Sequence, residues 1–146
     1  MNKLRVGVIG CGRISVMHFV SIEQSKRAQL VCCCDVKKDR VDACAKKYSV
    51  KGYTDYKEML DNEKLDAVHI CLPHYLHSKV ARYAFSKGVN VLTEKPMDID
   101  YVTAEKAVID AEEKGVLFGV ISQTRYNNSV QLVKKAVESG KLGKII

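Results

Sequence analysis

Two glycines one residue apart, Gly10-Cys11-Gly12, follow the apolar run Val6-Gly7-Val8-Ile9 and precede Arg13-Ile14-Ser15. A strand that turns through Gly-x-Gly into a helix has the layout of a dinucleotide-binding loop. The first glycine allows a tight turn. The second lets a pyrophosphate approach the backbone, and the N–H groups at the start of the helix face the anion. Gly10, Cys11, Gly12, Arg13 and Ile14 are therefore the expected phosphate-binding residues. Ser15 stands where a third glycine or an alanine is usual, and it is small enough to keep the helix close to the strand. A bare Gly-x-Gly also fits a plain strand-to-helix turn. The strand before it and the amphipathic stretch after it favour the phosphate loop.

Three more polar clusters fall at the ends of apolar runs. Asp35 lies 25 residues after Gly10. A carboxylate there can accept hydrogen bonds from an adenosine ribose and repels a 2′-phosphate, which favours NAD over NADP. Asp35-Val36-Lys37-Lys38 also reads as a turn or helix cap, and its two lysines leave NADP open. Cys71-Leu72-Pro73-His74 ends a later run, where Leu72-Pro73 would fix an extended turn beside the cofactor. His74 and His77 have a metal spacing on a helix, but no third ligand accompanies them. Helix-start or surface roles are expected for both, and no metal. Thr93-Glu94-Lys95-Pro96 ends the next run. A lysine at a strand end beside a nicotinamide can orient a substrate hydroxyl and assist proton movement, with Glu94 holding or tuning it. Taken by itself, the same motif is a charged turn closed by proline.

These clusters need a frame that brings strand ends together. Apolar runs and helical periodicities alternate along the whole chain. Strands are expected at Leu4–Ile9, Gln29–Cys34, Lys51–Tyr53, Ala67–Leu72, Val89–Thr93 and Val116–Ile121. The first helix should bury Ile14, Met17, His18 and Ile22, and the second Val41, Cys44, Ala45 and Tyr48. A small helix follows over Tyr56–Leu60. A later one presents Leu76, Val80, Tyr83 and Ala84, and Tyr101–Lys114 presents Ala104, Ala107, Val108 and Ala111. Asn127–Ser139 is the last helix, stopped by Gly140. Strands alternating with helices of about 10–15 residues pair in parallel through right-handed crossovers. The expected fold is α/β, a doubly wound parallel sheet of six strands. Such sheets bind ligands beyond the carboxyl ends of their strands.

The bulk numbers narrow the function further. At 146 residues, 47% apolar and 28% charged, the chain suits one globular domain. No apolar run approaches the roughly 20 residues of a membrane span, and the N-terminus lacks a signal-peptide layout, so a cytoplasmic protein without a membrane partner is expected. The net charge of +7 comes from basic residues mixed with acids along helices. That is a solvated lysine-rich surface rather than a nucleic-acid footprint. Six cysteines, three of them adjacent at Cys32-Cys33-Cys34, read as small buried hydrophobes in a reducing compartment. Cys11 differs, because a helix N-terminus near it would stabilise a thiolate.

Gly10-Cys11-Gly12, Asp35, Leu72-Pro73-His74, Glu94-Lys95-Pro96, Arg125-Tyr126 and Gly140-Lys141-Leu142-Gly143 occur in an order and spacing that resembles the glucose–fructose oxidoreductase / inositol dehydrogenase (Gfo/Idh/MocA) family. The resemblance runs over the whole chain. It implies a Rossmann fold and an NAD(P)-dependent oxidoreductase acting on a sugar, polyol or related hydroxy compound. It implies that Lys95 is the catalytic lysine and that Arg125 and Tyr126 lie near the nicotinamide or substrate. Residues 1–124 are then the dinucleotide-binding domain. Residues 125–146 are a linking helix and the start of a C-terminal substrate domain that would also carry the oligomer contacts. Without that domain the chain is expected to bind cofactor but not turn over. The alternative is a non-enzymatic module that senses or binds a dinucleotide.

Overall fold

A computed structural model describes residues 2–144. Six strands form one sheet: β1 (Leu4–Ile9), β2 (Ala28–Cys34), β3 (Lys51–Tyr53), β4 (Ala67–Ile70), β5 (Asn90–Thr93) and β6 (Phe118–Val120). Their order is β3-β2-β1-β4-β5-β6, and every pairing is parallel. Six helices alternate with them: α1 (Ser15–Gln24), α2 (Lys38–Tyr48), α3 (Tyr56–Asn62), α4 (His77–Ser86), α5 (Tyr101–Lys114) and α6 (Asn128–Glu138). This is the doubly wound sheet that the alternation of runs predicts. The strand order reverses between β1 and β4, which puts the topological switch point beside the glycine loop.

Register makes the carboxyl ends level. Ile9 pairs with Cys34 and Ile70, Ile70 pairs with Thr93, and Thr93 pairs with Val120. The next residue of each strand, namely Gly10, Asp35, Cys71, Glu94 and Ile121, therefore stands on one rim. β4 stops two residues before the expected Leu72. Cys71 still donates to the Ile9 carbonyl at 2.7 Å. The chain then leaves the ladder through Leu72 and Pro73, since proline cannot donate to a ladder. β6 is shorter than Val116–Ile121, because Val116 donates back to Ala111 and so closes α5.

Apolar side chains fill both faces. Phe85, Met59, Val68 and Ile70 anchor one side, and Phe19, Val6, Val8 and Cys33 the other. On α1 the buried stripe is Ser15, His18, Phe19 and Ile22, while Ile14 and Met17 are exposed. The expected stripe shares His18 and Ile22 with it. The helix starts at Ser15, and Ile14 and Met17 instead line a rim cavity, where apolar side chains give the same periodicity as a core. On α5, Ala107 and Ala111 are buried as expected. α6 buries no residue, and its Leu132 and Val133 are exposed. Among the described residues no helix is long and apolar enough to cross a membrane. The six cysteines are free, five of them buried and Cys44 half-buried.

Candidate functional site

The glycine loop closes the central strand. Gly10 has φ +99°, and its N–H donates to the Cys34 carbonyl at 2.7 Å. A Cβ there would lie 2.3 Å from the Cys71 carbonyl oxygen, so only glycine fits between β1 and β4. Gly12 is different. A Cβ on it would meet nothing nearer than an Arg40 guanidinium nitrogen at 4.0 Å. Its open face lies just before α1, whose first backbone N–H groups have no intrahelical acceptor. Ser15 is buried, and its hydroxyl donates to the Gly12 carbonyl at 2.6 Å, so the serine in the third-glycine position ties loop to helix. The loop thus has a backbone cradle with a guanidinium at its side. A pyrophosphate fits it by charge and by space.

Asp35 stands beside the loop and is buried. One carboxylate oxygen accepts the Cys11 N–H at 2.8 Å, and the other accepts the Lys37 N–H at 2.9 Å. Arg40 is 3.9 Å from it. Asp35 therefore closes the turn that leads into α2 and staples the glycine loop. Each oxygen keeps a further lone pair for a ribose hydroxyl. Asp35 also lines a mainly apolar cavity of about 340 Å³, with Val36, Tyr56, Leu72, Leu76 and Lys79. Lys37 and Lys38 are exposed, and Lys38 pairs with Asp42 at 2.8 Å.

On the other side of the loop the rim carries Glu94 and Lys95. Glu94 does not pair with the Lys95 ammonium. Its Oε1 lies 3.1 Å from His18 Nε2, and its Oε2 accepts the Lys95 backbone N–H at 3.3 Å. His18 Nδ1 is 3.1 Å from His69 Nδ1, which makes a chain His69–His18–Glu94 from β4 through α1 to the end of β5, with His18 buried and its two partners half-buried. Burial, with His18 beside it, lowers the His69 pKa to about 4. A second cavity, of about 320 Å³, is lined by Ile14, Met17, His18, Glu94, Ile121 and Gln123.

The Lys95 segment is pinned from below. His77 stands at the start of α4, one of its two expected places, and is fully buried rather than on the surface. Its Nδ1 lies 2.7 Å from the Pro96 carbonyl and its Nε2 2.8 Å from the Leu72 carbonyl. Ser78 donates to the Met97 carbonyl at 3.2 Å. The amino end of α4 thus joins the Leu72-Pro73 turn to the loop that carries Lys95, whose side chain is exposed on the rim.

Gly10, Cys11, Gly12, Arg13, Ile14, Asp35, Leu72, Pro73, Glu94 and Lys95 all follow strand ends on this rim, and His74 opens a 3-10 turn just beyond Pro73. Arg125 lies in the exposed 3-10 turn Gln123–Tyr126, and among the described residues its guanidinium has no ion-pair partner. Cys11 departs from expectation: the Cys33 thiol against it and its burial push its pKa up, so it stays a thiol. Sequence reasoning also missed the Glu94 partner and the His77 pin. The one available signal was a histidine on an otherwise apolar helix face, at His18. Among the described residues no cluster of three or more side chains could hold a metal ion.

The profile of an oxidoreductase family with an NAD-binding Rossmann fold, GFO_IDH_MocA, matches residues 4–122. The chain belongs to this family. Curated relatives include the myo-inositol 2-dehydrogenase of Thermotoga maritima, 28% identical over 97% of this chain and 42% of that protein. The scyllo-inositol 2-dehydrogenase (NAD(+)) of Bacillus subtilis is 27% identical over 99% of this chain and 43% of that protein. Among solved structures, the WlbA dehydrogenase of Bordetella pertussis in complex with NADH and UDP-GlcNAcA superposes with a TM-score of 0.96 at 35% identity, over 99% of this chain and 44% of that one. The chain spans about two-fifths of the length of the curated relatives it matches.

Proposed function

We propose that this chain is the NAD(H)-holding part of a dehydrogenase that acts on a secondary hydroxyl of a sugar, polyol or related compound. The observation that carries the reading is the rim itself. A backbone cradle at Gly10–Ile14, the Asp35 carboxylate and the Lys95 amine stand on level strand ends at the switch point of the sheet. The dinucleotide-binding residues of the reading are Gly10, Cys11, Gly12, Arg13, Ile14, Asp35, Leu72, Pro73, His74, Glu94, Lys95 and Arg125. They occupy residues 1–124 and the turn after them. Residues 125–146 lead into a substrate-bearing domain of the kind the relatives' length leaves room for.

The dinucleotide, when bound, supplies a ring carbon that accepts or gives hydride. The chain's own residues do the rest. Gly12 and the start of α1 take the pyrophosphate, and Asp35 takes the adenosine ribose. Asp35 disfavours a 2′-phosphate, while Arg40, Lys37 and Lys38 near it leave NADP as a weaker ligand. Lys95, free of Glu94, reaches toward the substrate hydroxyl and helps its proton leave as the carbon is oxidised. The parent enzyme is read as a cytoplasmic homo-oligomer that engages neither nucleic acid nor membrane.

Titration of the protein with NADH, followed by the cofactor's fluorescence, tests the binding half of the reading. Saturable binding, tighter than that of NADPH, is expected. No saturation at millimolar NADH contradicts it. In a longer chain with a substrate domain, Lys95→Ala is expected to cut turnover at least a hundredfold while leaving NADH affinity nearly unchanged. Unchanged turnover removes Lys95 from the chemistry.

A further inference from the structure

We propose that His18 sets the charge which Glu94 presents to the nicotinamide end of the dinucleotide, and so sets the relative affinity for the oxidised and reduced cofactor. The proposal rests on the NAD(H) reading above. With the ribose at Asp35 on the β2 side and the pyrophosphate at the glycine loop, the other half of a dinucleotide extends over β4 and β5. Glu94 is the first charged residue on that side of the rim, and its side chain is only 13% exposed. It faces the cavity that Ile14 and Met17 of the loop and helix also line.

The ring carried by NAD+ is cationic and that of NADH is neutral. A carboxylate beside it that water screens poorly favours the oxidised form. His18 can cancel that preference. Its imidazole is 5% exposed and lies 3.1 Å from Glu94. The chain His69–His18–Glu94 has two complete proton arrangements. With His18 neutral, its Nε2–H donates to Glu94, its Nδ1 accepts from His69 Nδ1–H, and the chain carries one negative charge. With His18 protonated, both its nitrogens donate, His69 carries its proton on Nε2 and accepts at Nδ1, and the chain is neutral. The same contacts at 3.1 Å serve both states, so the change needs a tautomer shift of His69 but no movement of heavy atoms.

The other groups around the chain do not compensate Glu94 over the pH span of the test. His69 is held neutral, with a pKa of about 4. Burial, with Glu94 nearby, pushes the Cys71 thiol up to about 12. Ser21, Ile121 and Gln123 are uncharged, and the exposed Lys95 ammonium makes no ion pair with Glu94.

The test measures the Kd of NAD+ and of NADH for the wild-type chain, His18→Gln and Glu94→Gln from about pH 5.5 to 8. In the wild type, Kd(NADH)/Kd(NAD+) is expected to rise roughly tenfold with pH, as His18 loses its proton and Glu94 is left uncompensated. His18→Gln keeps a donor for Glu94 but takes up no proton, so its ratio should stay high and flat. Glu94→Gln should give a low, flat ratio. Ring 15N shifts of the wild type read the same event without a variant: His18 passes from two protonated nitrogens to one as pH rises, while His69 moves its proton from Nε2 to Nδ1. A ratio independent of pH in the wild type, a wild-type slope in His18→Gln, or a His18 ring that does not change protonation overturns the proposal while the NAD(H) reading stands. Absence of binding by both cofactors to the wild type removes that reading and the proposal with it.

Discussion

Alanine at Gly10 and alanine at Gly12 should fail in opposite ways. At Gly10 the backbone is left-handed, with φ +99°, and a Cβ would sit 2.3 Å from the Cys71 carbonyl oxygen and 2.7 Å from its carbon. That carbonyl cannot retreat freely, because the Cys71 N–H is tied to Ile9 at 2.7 Å and the Glu94 N–H to Ile70 at 2.9 Å. The left-handed penalty is about 1–2 kcal/mol. Displacing packed backbone adds about 1–3 kcal/mol. Gly10→Ala should therefore destabilise by roughly 2–5 kcal/mol, and at this chain length lower the Tm by roughly 8–20 °C. At Gly12 the nearest atom to a Cβ is 4.0 Å away, on the flexible Arg40 side chain, and no left-handed φ is required. Gly12→Ala should leave stability within about 0.5 kcal/mol. Its methyl group fills the face that the pyrophosphate must approach, so NADH affinity should fall at least tenfold, or about 1.4 kcal/mol. Thermal unfolding by circular dichroism and NADH titration separate the two. Gly12→Ala with wild-type Tm and wild-type NADH affinity would refute the cradle. Gly10→Ala within about 2 °C of the wild-type Tm would refute the packing argument.

Other perturbations follow from the same geometry. Asp35→Ala strips the acceptor from the buried Cys11 N–H and from the Lys37 N–H. It should cost about 1–3 kcal/mol of stability and weaken NADH more than NADPH, and an equal loss for both in fluorescence titration would deny the ribose role. His77→Ala removes the ring whose two nitrogens face the Leu72 and Pro96 carbonyls and leaves a cavity. The expected loss is about 2–4 kcal/mol, with faster amide exchange around residues 71–73 and 95–98. Exchange unchanged in both segments would show that His77 does not join them. His69, with a folded pKa near 4 against the ordinary 6.5, takes its proton later than the unfolded chain does as pH falls. Stability should accordingly drop by about 2–3 kcal/mol between pH 6.5 and 4 and level off below, by linkage. Denaturant unfolding across that range should show the slope flattened in His69→Gln, and an unchanged slope assigns it to other groups.

The sheet was legible because four of its six strands, β1, β2, β4 and β5, are short apolar runs closed by a glycine, aspartate or proline signal, and the parallel pairing follows from the helices between runs. The rim residues were legible for the same reason: Gly10, Asp35, Cys71 and Glu94 each follow a strand end, and register alone makes them neighbours. The histidines were not. His77 reads as one more polar residue near a turn, and nothing local says that the carbonyls of Leu72 and Pro96, the latter from a segment 19 residues on, converge on its ring. Glu94 and Lys95 are adjacent, so they read as a pair, yet the carboxylate turns to His18, 76 residues earlier, because that partner is buried with it. Met17 and Ile14 carry core-like periodicity but line a cavity at the loop. An apolar stripe does not tell a packed wall from a wall that awaits a ligand.

Amide chemical-shift mapping of the 15N-labelled chain during titration with NAD+ tests the central claim most directly. Saturable shifts confined to Gly10–Ile14, Asp35, Leu72, His74, Glu94–Lys95 and Arg125 are the predicted result. Shifts that stay within the basic surface of α2 and α6, or that never saturate, would contradict a dinucleotide site on this rim.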